Sequence, residues 1–296
     1  MASGLQRTGM EKSLLEERLK ELNQKYPEKW YHNYHLGEGI QSIPGQAVSD
    51  NFLTRSDIVM ELIYLFLGLA KKEEIASRSM RLLDLASAEG LQSIEAALHG
   101  FDTVGVEGRE LFVKRAEFVK EVFNLQNVRF IEGDVRKISK STLGTFDATL
   151  CLGILYHLNK EALVPFLTSI AEVTTRLLIV DTHVANPESV QRYRLGAEDN
   201  IGGRYFGRIY HEHPKDLTLL QKLSRVRASL DNEESFWFEY DSLCDFLRDH
   251  GFNYVLDVKR PEYNTSKDLL KTRVLLVALK QPVNHIRPHC YFSTKS

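Results

Sequence analysis

The sequence predicts an α/β protein built on a doubly wound, mostly parallel sheet. From Arg81 onward, short Val/Ile/Leu-rich segments alternate with segments of helical periodicity: "RLLDLA" precedes "LQSIEAALHG", and "DTVGVEG" precedes "RELFVKRAEFVKEVFNL". Such alternation is typical of parallel strands joined by crossover helices that cover both faces of the sheet. Two last apolar segments, "NYVLDVKR" and "TRVLLVALK", are joined by a short linker and predict a closing antiparallel hairpin.

Two further parts flank this core. Residues 10–25 have leucines at helical spacing and predict an amphipathic helix, the loop "WYHNYHLGEGIQSIPGQ" follows, and residues 57–69 predict a second helix. Residues 186–234 are polar, carry four glycines and interrupt the alternation, which indicates an insertion over the carboxyl edge of the sheet. We therefore divide the chain into an N-terminal helical lid, 1–75, and a core, 76–296, that carries a cap insertion at 185–235.

Composition narrows the range of functions. The 296 residues carry a formal net charge of -2, so no global excess of positive charge attracts nucleic acid, although a local basic patch would escape this count. Cys151, Cys244 and Cys290 are widely spaced, which fits a reducing compartment. The N-terminus has no apolar signal region, and the apolar stretch 61–70 is too short to span a bilayer. The sequence predicts a cytoplasmic protein without a membrane partner; oligomeric state stays open, with a homodimer among the alternatives.

The first chemical feature is a pair of carboxylates at the ends of two strands. Asp84 lies inside an apolar strand, where a carboxylate is costly unless it is hydrogen-bonded, so we expect it to order the following turn. Glu107 ends the next strand, 23 positions after Asp84, where an acid can accept hydrogen bonds from both hydroxyls of a ribose. The alternative is that Glu107 only caps the helix that begins near Arg109.

The turn "ASAEG" after Asp84 separates two classes of cofactor. A dinucleotide site uses glycines there so that the backbone can approach a pyrophosphate, whereas this chain has Ala86, Ser87, Ala88 and Glu89 before Gly90. Their side chains and the negative charge fit a pyrophosphate badly. A nucleoside that carries a sulfonium and an amino-acid tail tolerates them better.

Five segments in order, "LLDLASAEG", "VGVEG", "FIEGDV", "FDATLCLGILYHL" and "LLIVDTHV", resemble the class I S-adenosylmethionine-dependent methyltransferases over residues 80–280. The resemblance implies a Rossmann-like methyltransferase sheet of seven strands whose last hairpin is antiparallel, with the helical lid and an insertion after the fifth strand. The N-terminal loop also resembles a subgroup related to the tRNA wobble-uridine methyl- and carboxymethyltransferases, which includes small-molecule enzymes.

The resemblance implies S-adenosylmethionine as the cofactor and assigns its contacts by motif position. The implied cofactor residues are Asp84, Ala86 and Gly90 at the methionine tail, Glu107 at the ribose, Gly108, Asp134 and Val135 around the adenine, and Cys151 and Leu152 beside the sulfonium. The family usually has glycine at the positions of Ala86 and Ala88, so this loop departs from its pattern.

Histidine and tyrosine side chains are the candidates for chemistry on the methyl acceptor. His157, which follows the fourth strand, is the first candidate for a base or a substrate-positioning residue, against the alternative of a histidine bonded within its turn. Tyr31, His32 and His35 are further candidates, because an N-terminal lid can close over the acceptor. A metal site formed by His183, His211, Glu212 and His213 was considered, but the sequence places no further ligand, and no metal is predicted.

Three functional hypotheses follow. The first is methylation of an oxygen or nitrogen atom on a small molecule enclosed by the lid and the cap. The second is modification of a tRNA wobble uridine, which requires salt-dependent RNA binding. The third is a non-catalytic scaffold or sensor that keeps the cofactor fold.

Overall fold

The computed structural model describes residues 10–45, 50–263 and 267–281, and within them the side chains of 50–53 and 267–268 are not described. Cys290 and residues 1–9 lie outside the described residues. None of the described helices combines the length and apolar character needed to cross a membrane.

The helices and strands alternate through most of the chain. The helices are α1 (Lys12–Lys25), α2 (Asp50–Leu67), α3 (Glu73–Ser77), α4 (Leu91–Leu98), α5 (Glu110–Val122), α6 (Lys140–Leu143), α7 (Lys160–Val173), α8 (Pro187–Tyr193), α9 (Leu219–Ser224), α10 (Tyr240–Asp249) and α11 (Lys267–Thr272). The strands are β1 (His35–Gly37), β2 (Ile40–Gln41), β3 (Arg81–Leu85), β4 (Asp102–Glu107), β5 (Val128–Glu132), β6 (Phe146–Leu152), β7 (Thr174–His183), β8 (Glu198–Ile201), β9 (Tyr205–His211), β10 (Glu234–Phe238), β11 (Tyr254–Asp257) and β12 (Arg273–Leu279).

The central sheet has seven strands in the order β11-β12-β7-β6-β3-β4-β5. All neighbouring pairs from β7 to β5 are parallel, and β12 runs antiparallel to both β7 and β11. This confirms the predicted doubly wound sheet and its antiparallel closing hairpin. The order of strand addition reverses at β3, because β4 and β5 follow on one side of it and β6 and β7 on the other. The carboxyl ends of β3 and β6 therefore form the crevice in which such sheets bind ligands.

Burial of both sheet faces explains the continuous apolar strands. Leu83 and Leu85 pack into one large cluster with β7, α7 and α10, whereas Leu82 packs into a second cluster with α2 and β12. Neighbouring residues of β3 therefore point into two different cores, and both alternating positions must be apolar. Both clusters lie beneath the carboxyl edge of the sheet and hold it rigid.

The N-terminal segment packs on the α4–α5 side of the sheet. The predicted first helix forms as α1, and Leu15 and Leu19 bury its apolar face while Leu14 remains exposed. The predicted irregular loop contains a short hairpin, β1–β2. The second helix begins at Asp50, seven residues before the predicted start.

The insertion forms a small sheet that the sequence analysis did not predict. Strand β9 lies between β8 and β10 and pairs antiparallel with both, and β10 covers the segment "ESFWF". Phe236, Trp237 and Phe238 are all buried, so β10 shows no alternation. The following helix, α10, begins at Tyr240 and ends before a left-handed glycine, Gly251.

Candidate active site

The turn between β3 and α4 has the backbone shape of a glycine loop. Ala86, Ala88 and Gly90 all have positive φ values, 56°, 47° and 82°. A left-handed backbone costs a residue with a Cβ about 1–2 kcal/mol, so the two alanines are held there by the surrounding structure. Glycine is required at position 90, because a Cβ there would lie 2.6 Å from Phe130 Cζ.

Asp84 orders this turn, as predicted. It is buried and accepts a 2.7 Å hydrogen bond from Ser93 Oγ, which links the end of β3 to the first turn of α4. Burial raises the pKa of Asp84 to about 7, because the apolar surroundings disfavour its charged form.

Glu107 lies beside the same turn at the end of β4. Its carboxylate accepts hydrogen bonds from the backbone amides of Ala88 and Arg109, both at 2.9 Å. Glu107 therefore contacts the start of the following helix at Arg109, as a capping residue does. It also contacts the turn after β3 at Ala88, on the side where a cofactor would bind. Burial raises the pKa of this carboxyl group above its ordinary value.

Residues after β5 continue the edge of the crevice. Asp134 caps a 3₁₀ turn, Val135–Lys137, and accepts hydrogen bonds from Arg136. Burial favours the neutral form, but the bonds from Arg136 hold the pKa of Asp134 below its usual range. Arg136 also binds Asp231 of the insertion at 2.7 Å, and Val135 is buried.

The insertion covers this part of the crevice. Leu230 sits so close to Gly108 that a Cβ on that glycine would lie 2.3 Å from Leu230 Cδ1. Arg109 holds the same segment by donating hydrogen bonds to the carbonyls of Leu223, Arg225 and Ala228. We call residues 219–231 the cap segment. It lies directly over the carboxyl end of β4.

Glu89 does not project its charge into the crevice, contrary to the role assigned to it from the sequence. It is fully buried, pairs with Arg115 at 2.7 Å, and accepts hydrogen bonds from the backbone amides of Tyr31 and His32. Arg115 also donates to the carbonyl of Glu28. The carboxylate therefore ties the N-terminal lid to the loop instead of repelling a ligand.

The lid residues predicted for chemistry separate into two groups. His32 is buried against Glu89, with 3.5 Å between its Nδ1 and Glu89 Oε2, and His35 is exposed on β1. Tyr31 instead reaches across the crevice, where the Arg227 guanidinium of the cap segment lies 5.7 Å from the centre of its ring. Lid and cap thus meet at Tyr31.

The end of β6 borders the crevice from below. Cys151 is buried, and burial together with the nearby Asp181 carboxylate raises the pKa of its thiol to about 12, so it remains an unreactive thiol. Leu152 is half-buried, and Gly153 adopts a left-handed φ of 82° that turns the chain into the 3₁₀ turn Leu155–His157.

His157 forms a dyad with Glu212. Its Nδ1 lies 2.8 Å from Glu212 Oε1, and Glu212 is 3% exposed and also accepts a hydrogen bond from the Ser229 amide. Because a carboxylate accepts, Nδ1 carries a ring hydrogen, and Nε2 makes no hydrogen bond within the described part of the chain. This arrangement prepares Nε2 to accept a proton.

The histidines and the acid considered for a metal site do not converge. Glu212 binds His157, His213 lies 3.0 Å from the carbonyl oxygen of Ser229, and His211 is exposed beside Glu234. Within residues 10–45, 50–263 and 267–281, no group of three or more metal-ligating side chains comes together.

An aromatic wall stands next to the dyad. Trp237 stacks on His183 with 4.6 Å between ring centres and is surrounded by three tyrosines, which are Tyr156, Tyr193 and Tyr210. Tyr156 in turn lies 4.2 Å from the His157 ring. Burial, reinforced by the Arg273 charge, lowers the pKa of His183 to about 3, so this imidazole stays neutral at physiological pH.

Comparison with known proteins shows what this part of the chain is similar to. Residues 76–208 match the family model of a methyltransferase domain. Over this domain the chain is similar to S-adenosylmethionine-dependent methyltransferases, and its cofactor is S-adenosylmethionine. Glu107, at the carboxyl end of β4, stands where a carboxylate can accept hydrogen bonds from ribose hydroxyls.

Two kinds of relatives agree with this assignment. The ubiquinone biosynthesis O-methyltransferase of Psychrobacter cryohalolentis is 25% identical over 203 residues, which are 64% of this methyltransferase and 76% of the relative. The N-terminal domain of EvdMO1, crystallised in the presence of SAH and D-fucose, is 24% identical and covers 92% of this chain and 98% of its own, with a TM-score of 0.66. Magnesium protoporphyrin IX methyltransferase from Synechocystis with bound SAH is 17% identical, covers 81% of this chain and 90% of its own, and has a TM-score of 0.50. The two structures support the fold.

The sequence analysis missed several residues of this methyltransferase. Glu212 was considered only as a metal ligand, because the 55 positions between it and His157 leave no local pattern. Leu230 comes from the insertion and Trp237 from β10, which pairs with a strand of the insertion; the sequence does not reveal the path of either segment. Asp181, by contrast, carried a readable signal, since it is a carboxylate inside the apolar strand "LLIVDTH", as Asp84 is inside "RLLDLA".

Proposed function

We propose that this methyltransferase transfers the methyl group of S-adenosylmethionine to a hydroxyl group of a small-molecule acceptor, with His157 as the general base. The observation that carries the proposal is the 2.8 Å dyad between His157 and Glu212 at the carboxyl end of β6. A neutral amine attacks a methyl group without prior loss of a proton, whereas a hydroxyl group gains nucleophilicity from a base. The dyad therefore favours oxygen over nitrogen as the acceptor atom.

The bound cofactor supplies an electrophilic methyl group on a sulfonium. The chain's own contribution is to hold the acceptor in line with that methyl group and to exclude water. As the acceptor oxygen forms its bond to the methyl carbon, the carbon–sulfur bond breaks, and the hydroxyl proton passes to His157 Nε2. Glu212 keeps Nδ1 protonated and stabilises the positive imidazolium that results.

The proposed cofactor residues are those at the crevice edge. Asp84, Ala86 and Gly90 would form the turn against the methionine tail, and Glu107 would hold the ribose. Gly108, Asp134 and Val135 would surround the adenine beneath Leu230, and Cys151 and Leu152 would lie beside the sulfonium. Calorimetry with S-adenosylhomocysteine tests this assignment: Glu107→Ala should weaken binding about tenfold or more, the scale of losing a charged hydrogen-bond pair. Glu132→Ala, at the exposed end of the neighbouring strand β5, is the matched control and should leave binding unchanged.

The relatives support a small acceptor. One is a ubiquinone biosynthesis O-methyltransferase, and another was crystallised in the presence of D-fucose. Enclosure of the crevice by the lid and the cap segment, which meet at Tyr31 and Arg227, also favours a compact acceptor over a polymer.

The experiment is methyl transfer from labelled S-adenosylmethionine to a metabolite extract and, separately, to bulk tRNA. We expect label in a small-molecule ether, and His157→Asn should lower kcat about 100-fold or more while S-adenosylhomocysteine still binds. His211→Asn, an exposed histidine 3.2 Å from Glu234, is the control and should remain active. Label in tRNA alone would support the wobble-uridine hypothesis instead, and cofactor binding without any transfer would support the scaffold hypothesis.

A further inference from the structure

A cluster of one buried and two partly buried charges lies beside the proposed methyl-transfer site, and neither the dyad nor the cofactor residues use it. We call Arg55, Asp181 and Arg273 the basic cluster. Asp181 pairs in register with Leu152 at the end of β6, and its carbonyl accepts a 2.8 Å hydrogen bond from the Gly153 amide. Arg273 Nη2 would lie 3.5 Å from a Cβ placed on Gly153. The cluster therefore adjoins the turn that borders the sulfonium.

Two positive groups share one negative group in this cluster. Arg273 donates from Nε and Nη2 to the two oxygens of Asp181, at 2.9 and 2.7 Å. Arg55 donates from Nη2 to the same carboxylate at 2.5 Å. Burial favours a neutral carboxyl group, but both guanidinium groups hold the pKa of Asp181 below its ordinary value, so all three groups are charged and the cluster has a net charge of one positive unit.

Within the part of the chain that the structure describes, Asp181 is the only carboxylate among the main electrostatic causes that shift the pKa values of Arg55 and Arg273. Besides each other and Asp181, the larger electrostatic influences are the phenols of Tyr156 and Tyr263, and Tyr263 donates its hydroxyl hydrogen to Asp181 at 3.3 Å. His183 is neutral at physiological pH. An uncompensated charge in a largely desolvated place is costly unless a ligand or solvent neutralises it.

Both guanidinium groups keep nitrogen atoms for a ligand. The side chain of Arg55 is 21% exposed and that of Arg273 is 10% exposed. Arg55 Nη1 and Arg273 Nη1 make no hydrogen bond within the described residues, and neither is among the fully buried polar atoms without a partner. Neither nitrogen is therefore fully buried, and each keeps N–H donors that a ligand or solvent can use.

We propose that the basic cluster recognises a carboxylate on the methyl acceptor, so that the substrate is a hydroxylated carboxylic acid. The inference rests on the proposed function of the site and names its substrate class. The net charge of the cluster matches a single negative charge, which a carboxylate carries and a phosphate monoester exceeds. Guanidinium groups bind carboxylates through paired N–H donors, and an anion at this place completes the charge balance.

The position of Tyr156 connects this anion site to the dyad. Its ring centre lies 4.2 Å from that of His157, and the Arg273 guanidinium lies 5.2 Å from the same Tyr156 ring centre. A compact hydroxy acid along this ring can present its hydroxyl to His157 and its carboxylate to Arg273. Trp237 Nε1 in the adjoining wall is buried and has no hydrogen-bond partner within the described residues, so it offers a further donor to an oxygen of the acceptor.

The first test separates acceptors by charge. A metabolite extract is passed over an anion exchanger at neutral pH, and each fraction is incubated with the full-length protein and labelled S-adenosylmethionine. We expect acceptor activity in the retained fraction, lost when the carboxylates are esterified in acidic methanol and preserved after treatment with alkaline phosphatase. Label confined to the unretained fraction, or activity that survives esterification, would overturn the inference while leaving methyl transfer intact. Absence of label in every fraction would instead contradict the proposed function on which the inference rests.

The second test uses the retained acceptor with Arg273→Gln and Arg55→Gln. Each variant should raise KM for the acceptor at least tenfold and change kcat by no more than about threefold, because the contact with the anion stabilises the bound acceptor equally in the ground state and the transition state. The Kd for S-adenosylhomocysteine should change by no more than about twofold. Arg55→Gln leaves Arg273 paired with Asp181, which protects the fold if Arg273→Gln unfolds, and the exposed Arg248→Gln on α10 is the matched control. If the variants weaken S-adenosylhomocysteine binding and leave KM unchanged, the bound carboxylate is that of the cofactor's methionine tail, and the inference is wrong.

Discussion

Glu212 holds the imidazole of His157 from a part of the chain that lies outside the common methyltransferase core. The acid follows β9 of the insertion, whereas the histidine follows β6 of the central sheet, and their atoms are 2.8 Å apart. The cap segment is attached to the same acid through the Ser229 amide. The same carboxylate therefore contacts both the proposed base and the cap segment.

Glu212→Gln is expected to lower kcat about 10- to 100-fold while KM for the acceptor changes little. An amide can still contact Nδ1, but it no longer stabilises the imidazolium or selects the tautomer with a free Nε2. Steady-state kinetics measure this, with Glu233→Gln on the exposed side of the same insertion as control. An unchanged kcat would show that His157 works without the acid, or not as a base.

Gly108→Ala should weaken S-adenosylhomocysteine binding and loosen the insertion, since its Cβ would lie 2.3 Å from Leu230 Cδ1. The added Leu230→Ala removes the clash, so the double variant should bind more tightly than Gly108→Ala alone. Calorimetry on the wild type, both single variants and the double variant gives the coupling between the two positions. Additive effects would mean that the cap segment does not rest on Gly108 in solution.

Replacing both alanines of the β3 turn by glycine should stabilise the protein. At φ values of 56° and 47° each Cβ costs about 1–2 kcal/mol, partly offset by the greater entropy of glycine in the unfolded chain, for a net gain of about 1 kcal/mol. Urea denaturation of Ala86→Gly/Ala88→Gly measures the gain. Ala171→Gly, inside helix α7, should have the opposite sign and lose about 1 kcal/mol. A loss of stability in the double variant would contradict the strained geometry of the loop.

Asp84 should make the cofactor-free protein less stable as the pH rises from about 4 to 7. Its pKa in the folded protein is about 7 against an ordinary value of 3.8, so in that window the folded state retains a proton that the unfolded chain has lost. The contribution of Asp84 to the free energy of unfolding is complete below the pKa of the unfolded chain, falls as the pH rises between the two pKa values, and is lost above the pKa of the folded protein. The lowered pKa of His183 acts in the opposite direction, so the measurement is the difference between the wild type and Asp84→Asn in urea denaturation across this range. Parallel stability curves for the two proteins would contradict a protonated Asp84.

The central sheet could be predicted because its determinants are local. Each apolar strand and each crossover helix is a continuous segment whose periodicity and turn residues lie side by side in the chain. The β3 turn is similar: Asp84 and Gly90 are six positions apart, and their roles follow from neighbours on the same stretch. The small sheet of the insertion escaped prediction because β10 is buried on both sides and lacks the alternation that marks a half-buried strand.

By itself, the sequence determined the doubly wound fold, the cofactor class and the candidate base, since each depends on residue types at short spacings. Only the tertiary structure decided that Glu89 anchors the lid, that Glu212 orients His157, and that Arg55 and Arg273 share Asp181. These pairs join residues 26 to 126 positions apart. At such separations a charge's partner depends on which elements pack together, and burial then makes the pairing obligatory, because an unpaired charge in the core is costly.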